Sequence, residues 1–371
     1  MNYLPTLLKI IESGVSANAE KVTSYTKVLA DKLNVDGDVK AAEKILKVIG
    51  KINARNGISP ASALKALSIP VDRDSRLSLA DESLPELKNF NVQLDPMIEK
   101  SVEEFVSFVD NSHLLTEAGV GISPTMLIYG PPGCGKSFLA QHIAARLELP
   151  LLTARCDSLM SSLLGSTAKN IRNLFDHAAN RPCVLFLDEF DALAKARDDQ
   201  HEVGELKRVV VGLLQNIDNL PTETVVIAAT NHEGLLDQAV WRRFAYRLNI
   251  QLPSFDARKK LIQQYLDSYL PKNIKIITAA TEGMSGALIR QACEAMIRNT
   301  ILSQKKSLDE NQLLAKVAQI QYYEIIQSQE TPEEKIRQLK QSNNRLFTTR
   351  VLSELFNIST GKISKIINSS T

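Results

Sequence analysis

The sequence predicts an α/β fold: a parallel five-stranded sheet with helices on both faces, then a helical segment, with small all-α regions at both ends. Three observations carry the prediction. Short apolar runs recur between Met126 and Leu252, and helical patterns separate them, as in a parallel sheet buried on both sides. One junction between run and helix is Gly130-Pro131-Pro132-Gly133-Cys134-Gly135-Lys136-Ser137, which fits G-x-x-x-x-G-K-[ST]. Two further runs end in Asp188-Glu189 and in Asn231, placing polar groups at the strand ends where open parallel sheets bind ligands.

The bulk properties bound the rest. The chain has 371 residues, enough for two or three domains and a large core. Its net charge of +2 provides no global basic field for nucleic acid. Cys134, Cys156, Cys183 and Cys293 lack C-x-x-C spacing, which fits a reducing compartment rather than a disulfide framework or a zinc site. No apolar run is long enough to cross a bilayer, and Met1 to Pro5 lacks a charged leader region. The expectation is a cytoplasmic protein with no membrane partner.

In chain order, residues 1–67 carry three helical patterns. Leu4, Leu7, Leu8 and Ile11 share one face, as do Val22, Tyr25, Leu29 and Leu33, and Ala42, Ile45, Leu46 and Ile49. This small helical bundle reads either as a docking and recognition domain or as a stabilising extension. Residues 68–95 lose the pattern, contain Pro70 and Pro85, and read as a linker. The large α/β domain is assigned to 96–253. Its strands are Met126–Tyr129, Leu151–Ala154, Cys183–Leu187, Val225–Ala229 and Tyr246–Leu252, with helices at Phe138–Leu147, Ala168–Ala178 and Glu205–Ile217. Residues 254–330 are helical. Residues 331–371 form a basic tail ending in a pattern like a helix-turn-helix, with Asn357 at the turn and Thr360, Lys362, Ser364 and Lys365 outward. That tail reads either as a DNA-reading element or as a helical hairpin packed on its neighbour.

The motifs define a chemistry. Glycines let successive N–H groups of Gly130 to Ser137 turn toward phosphate oxygens, and the following helix, starting near Phe138, offers its positive end. Lys136 would reach the β- and γ-phosphates, and Ser137 and Asp188 would hold Mg2+. Glu189 would orient the attacking water, and Asn231 would contact the γ-phosphate or that water. Arg242-Arg243 would bring cationic charge to the transition state from a neighbouring copy.

Together these stretches resemble the AAA branch of the AAA+ ATPases, P-loop NTPases with a helical lid. Gly130 to Ser137 resembles the Walker A loop, with Cys134 where the family usually has Thr. Leu185 to Asp191 resembles Walker B, Ala228 to His232 sensor 1, and Leu235 to Phe244 the second region of homology, with Arg242 and Arg243 as arginine fingers. Gly283-Met284-Ser285-Gly286-Ala287 resembles the lid motif beside the adenine, implying nucleotide contact by Gly286 and Ala287. Leu288 follows where the family usually has Asp, and Arg290 reads as a second sensor or a solvated helix residue. Leu163-Leu164-Gly165 falls at the family's pore loop, which usually carries an aromatic, so strong threading of substrate chains is not implied.

The resemblance implies ATP and Mg2+ as ligands and a ring, usually hexameric. No H-E-x-x-H or G-x-S-x-G is present, so any protease would be a separate chain. The order of elements, with Glu202 to Arg208, resembles bacterial single-module AAA ATPases encoded beside a subtilisin-like serine protease in plasmid-maintenance and anti-phage modules. The expected function is ATP-driven remodelling or unfolding of protein substrates, controlling or feeding such a partner protease. Two alternatives stay open: a DNA-associated ATPase regulator acting through the tail, and a free-standing disaggregase.

Overall fold

The computed structural model describes residues 3–15, 19–55, 69–71, 78–90, 92–121, 123–154, 159, 164–192, 203–221, 224–271, 273–304 and 308–368. Two compact units emerge. The first comprises 1–92, 97–130 and 136–249; the second comprises 93–96, 131–135 and 250–371.

The first unit begins with α1 (Leu4–Val15), α2 (Ala19–Val35) and α3 (Val39–Arg55). Strand β1 (Ala80–Ser83), helices α4 (Pro96–Asp110) and α5 (Ser112–Glu117), and β2 (Thr125–Tyr129) follow. Then come α6 (Lys136–Arg146), β3 (Leu151–Ala154), α7 (Leu164–Ala179), β4 (Val184–Leu187), α8 (Val203–Asp218), β5 (Val225–Thr230), α9 (Gln238–Trp241) and β6 (Tyr246–Asn249).

The sheet order is β1-β3-β4-β5-β2-β6, and every pair except β1–β3 is parallel. Every residue of β4 and β5 is buried, which is why these strands read as unbroken apolar runs rather than alternating ones. Leu127, Leu185 and Val226 pack with Leu152, Phe175 and Leu213 into one core.

Three features depart from the expectations. The stretch 68–95, read as a linker, supplies a sixth, antiparallel strand, and Ala80 to Ser83 pair with Ala154 to Leu151. Among the described residues there, only Leu79 and Ala80 are buried while Asp81 to Ser83 face solvent, so no period-2 pattern marks this short, charged edge strand. Glu82 pins it through both carboxylate oxygens to Arg181, each at 3.0 Å. The last strand stops at Asn249. In the N-terminal helices, α2 buries Tyr25, Val28 and Leu29, whereas α1 buries Thr6 and Ser13 and leaves Leu4, Leu7, Leu8 and Ile11 exposed.

The second unit is helical: α10 (Phe255–Leu266), α11 (Ile274–Ala280), α12 (Gly286–Leu302), α13 (Glu310–Gln321), α14 (Tyr323–Gln327), α15 (Pro332–Ser342), α16 (Thr349–Phe356) and α17 (Thr360–Asn368). Side-chain caps set several starts: Ser254 for α10, Asp309 for α13, a Thr331–Glu334 capping box for α15 and Thr348 for α16. Asn357 ends α16 at φ 53°, ψ 42°, the left-handed turn expected between the tail helices. Leu352, Ile363 and Ile366 enter the same core as Ile262, Ile289 and Leu314, so the tail hairpin packs into this unit. Thr360, Lys362 and Lys365 remain exposed.

Candidate functional site

The site starts where β2 ends. Gly130, Gly133 and Gly135 have φ of 139°, 74° and 92°, the region a β-carbon disfavours, so this loop needs glycine at these three points. Lys136 opens α6, is buried, and donates from Nζ to the Gly130 carbonyl at 2.8 Å. One residue on, Ser137 Oγ donates to Asp188 Oδ2 at 2.8 Å. Asp188 follows β4, which lies two strands from β2 with β5 between them. The hydroxyl and carboxylate are hard oxygen donors, the type Mg2+ prefers, and the buried ammonium suits a phosphate. The residues present therefore fit a magnesium-bound nucleotide phosphate chain.

The turn after β4 is shaped by Asp188, whose Oδ1 accepts from the Glu189 backbone N–H at 2.9 Å. Glu189 has φ 51° and an exposed side chain, so a non-glycine residue holds a left-handed backbone next to Asp188. Phe190 N–H donates to the Ala229 carbonyl at 2.9 Å and anchors the turn to β5.

Asp191 has no role legible in the local pattern, yet it joins two motifs. It is buried and accepts from Thr230 Oγ1 at 3.0 Å and from the Asn231 N–H at 3.3 Å. Thr230 Oγ1 in turn accepts from the His232 N–H at 3.0 Å. The carboxylate thus ties the turn bearing Glu189 to the half-buried Asn231. The local signal was a second acid two residues after Glu189; its partners lie about 40 residues on, where no periodicity points.

Arg242 and Arg243 lie elsewhere. Thr125, the first residue of β2, donates from Oγ1 to the Arg243 carbonyl at 2.8 Å and accepts from Ala245 N–H at 3.0 Å. Gly130 is five residues further along this extended chain, roughly 16 Å away at about 3.3 Å per residue. The Arg243 backbone is therefore beside the start of β2, while the ring of Trp241, one residue before Arg242, packs 5.1 Å from that of Tyr129 at the strand's other end. The two arginines also differ. Arg243 binds Asp218 Oδ2 through Nε at 3.3 Å and Nη2 at 3.2 Å, and the Ala239 carbonyl through Nη1 at 2.8 Å. Arg242 is exposed.

Phe138 is exposed on α6, and its ring lies 5.0 Å from that of Phe90. Within the second unit, Ala287 N–H donates to the Gly133 carbonyl at 3.0 Å, and Gly286 lies against the same residue. A β-carbon on Gly133 would fall 2.7 Å from Ser285 Oγ and 3.0 Å from the Ala287 β-carbon. Gly133, at the loop tip, is thus seated on Ser285 to Ala287, and the Cys134 thiol beside it is half-buried. Arg290 pairs with Glu294 one turn away at 2.6 Å, as a solvated helix arginine does. Leu163 lies outside the described residues; Leu164 and Gly165 begin α7.

Residues 126–252 match the family model for the ATPase family associated with various cellular activities (AAA). The chain carries an AAA ATPase domain. Over 202 residues it is 43% identical to an uncharacterized AAA family ATPase, y4kL, of Sinorhizobium fredii, covering 53% of this chain and 60% of that protein. It is 32% identical to a proteasome-activating nucleotidase of Sulfurisphaera tokodaii, covering 57% and 56%. It is 30% identical to the ATP-dependent zinc metalloprotease FtsH of Parabacteroides distasonis, covering 64% and 35%. The chain therefore spans less than two thirds of each of these relatives. Among solved structures, the FIGL-1 AAA domain in complex with ADP matches with a TM-score of 0.51 and 26% identity, over 65% of this chain and 93% of that one. Among the described residues, no helix is long and apolar enough to cross a membrane.

Proposed function

We propose that this protein hydrolyses ATP with Mg2+ in a ring of copies, usually six in this family, and uses the cycle to remodel protein substrates. The observation that carries this reading is the pairing of Ser137 with Asp188 beside the buried Lys136, with an exposed Arg242 on a turn whose Arg243 backbone sits beside the start of β2. The phosphate site has a lysine, a magnesium-ligand pair and a carboxylate within one chain, while Arg242 is exposed on the turn that leads into β6. Stacking copies head to tail would bring one copy's Arg242 to the next copy's loop.

Bound ATP with Mg2+ supplies the phosphoryl group that is transferred to water. Lys136 neutralises charge on the β- and γ-phosphates, Ser137 and Asp188 hold the metal, and Glu189 orients the water. Asn231, positioned through Asp191, contacts the γ-phosphate or the water. Gly286 and Ala287 contact the nucleotide beside Gly133. The ADP complex of the FIGL-1 domain supports the ligand, and the names of the nucleotidase and FtsH relatives support work on proteins. Substrate contact is assigned to Leu163, Leu164 and Gly165. For the partner, we favour a separate subtilisin-like protease in a bacterial defence or plasmid-maintenance module, on the likeness of Glu202 to Arg208 and the element order alone.

Glu189→Gln tests the core of this reading. ATP binding should stay within about threefold while turnover drops at least about 100-fold, the usual scale for losing a group that activates water. Turnover near the parent rate would remove Glu189 from this role.

A further inference from the structure

Helix α1 is turned the wrong way for a monomer. Its buried residues are Thr6 and Ser13, while Leu4, Leu7, Leu8, Ile11 and Val15 are 42 to 85% exposed. A surface helix ordinarily buries its apolar stripe and exposes its hydroxyls. Contacts to α2 on the polar side hold this orientation: Lys32 Nζ donates to Thr6 Oγ1 at 2.9 Å and Lys9 lies 5.9 Å from the Tyr25 ring centroid, while Ser13 Oγ is satisfied within α1 by the Lys9 carbonyl at 2.7 Å.

The outward residues have a definite spacing. Leu4, Leu8, Ile11 and Val15 follow one another by four, three and four positions, the seam of a coiled coil. Aligned antiparallel about its own middle, the seam is self-complementary. Leu4 meets Val15 of a second copy, Leu8 meets Ile11, and the two remaining layers repeat these by symmetry, as a twofold interface requires. The five side chains leave on the order of 500 Å2 of apolar surface, near the upper end for the largest patch of a monomer. Two such faces together bury at most about 1,000 Å2, the lower limit for a specific interface and the size of a weak, reversible one.

We infer that α1 is a docking face for α1 of a second copy of this chain, paired antiparallel. The contact is distinct from the proposed nucleotide site and does not depend on that reading.

The test uses the full chain without nucleotide. Leu8→Cys chains are mixed with Ile11→Cys chains and oxidised, and dimers are compared on a non-reducing gel with the parent, whose own thiols set the background. The seam predicts a dimer several-fold above background for this mixture and no gain for Val15→Cys chains alone, because Val15 faces Leu4. In sedimentation, Ile11→Glu should weaken pairing at least about tenfold through loss of apolar burial. Ile11→Gln repeats the measurement should the charged variant lose its helical circular dichroism. A folded mixture with dimer at background overturns the proposal. Pairing unaffected by either Ile11 variant overturns it too, as does a face that is covered only after a foreign protein is added.

Discussion

Asp191→Ala tests the link between the two motifs it joins. The carboxylate accepts from Thr230 Oγ1, on a fully buried residue, and from the Asn231 N–H. Removing it leaves two donors without that acceptor, at about 1–3 kcal/mol for each buried one. A destabilisation of about 2–4 kcal/mol is expected, equivalent to roughly 5–15 °C in Tm for a unit of this size. The functional effect follows from position. Asn231 loses the bond that holds its backbone beside the Glu189 turn, and a displacement of about 1 Å at a reacting centre costs up to about 100-fold in rate. The expected result is a kcat lowered about 10- to 100-fold with nucleotide affinity within about threefold, because Lys136, Ser137 and Asp188 keep their own contacts. Asp191→Asn retains a carbonyl acceptor and should fall between variant and parent. Steady-state ATPase, nucleotide titration and a melting curve on the same preparations separate the effects. A lowered Tm with unchanged kcat would show that Asp191 only braces the fold and would refute the positioning argument.

Other outcomes follow from the same geometry. Arg242→Ala copies should lose turnover, and mixing them with Glu189→Gln copies should restore part of it at hybrid interfaces; a verified mixed assembly without rescue would count against a trans arginine. Asp218→Asn should change stability by no more than about 1 kcal/mol, since the Arg243–Asp218 pair is partly exposed, and a larger loss in a denaturant titration would show a buried role. Gly133→Ala places a β-carbon against Ser285 and Ala287 at φ 74°, a strain of about 1–3 kcal/mol, so nucleotide affinity should drop about 5- to 150-fold; wild-type affinity would mean the loop tip relaxes freely. Burial, and secondarily Arg181, push His177 from 6.5 down to about 4, with Glu82 opposing. The unfolded chain therefore binds that proton more readily, and the contribution is present above pH 6.5 and lost as pH falls toward 4. His177→Gln should flatten the decline of Tm across that window, and an identical slope in both chains would rule the histidine out.

Much of the site could be read before folding because its parts are contiguous. Gly130 to Ser137 specify their own loop through glycine torsions and a helix start, and each polar strand end follows directly from an apolar run. The pairing of Ser137 with Asp188 was also foreseeable, since both occupy the carboxyl edge of one parallel sheet. The different fates of Arg242 and Arg243 were not. Adjacent in sequence, they separate because Asp218, at the end of α8, and Thr125, at the start of β2, reach only one of them. Strand β1 was missed because a short edge strand needs no alternating pattern when its outer residues are solvated.

The class of fold and the candidate residues of the site are legible in the order of amino acids alone. Buried parallel strands demand continuous apolar runs, and a phosphate loop demands glycines at fixed offsets. Which groups meet across the chain is set by the packed fold. It set Asp191 against Thr230 and Asn231, held Arg243 on Asp218 and Thr125, brought the tail into the helical core and turned the apolar face of α1 outward. Each depends on partners tens of residues away, whose positions are set by topology and packing rather than local pattern. Helical periodicity shows that α1 has an apolar face; only its neighbours determine which way that face points.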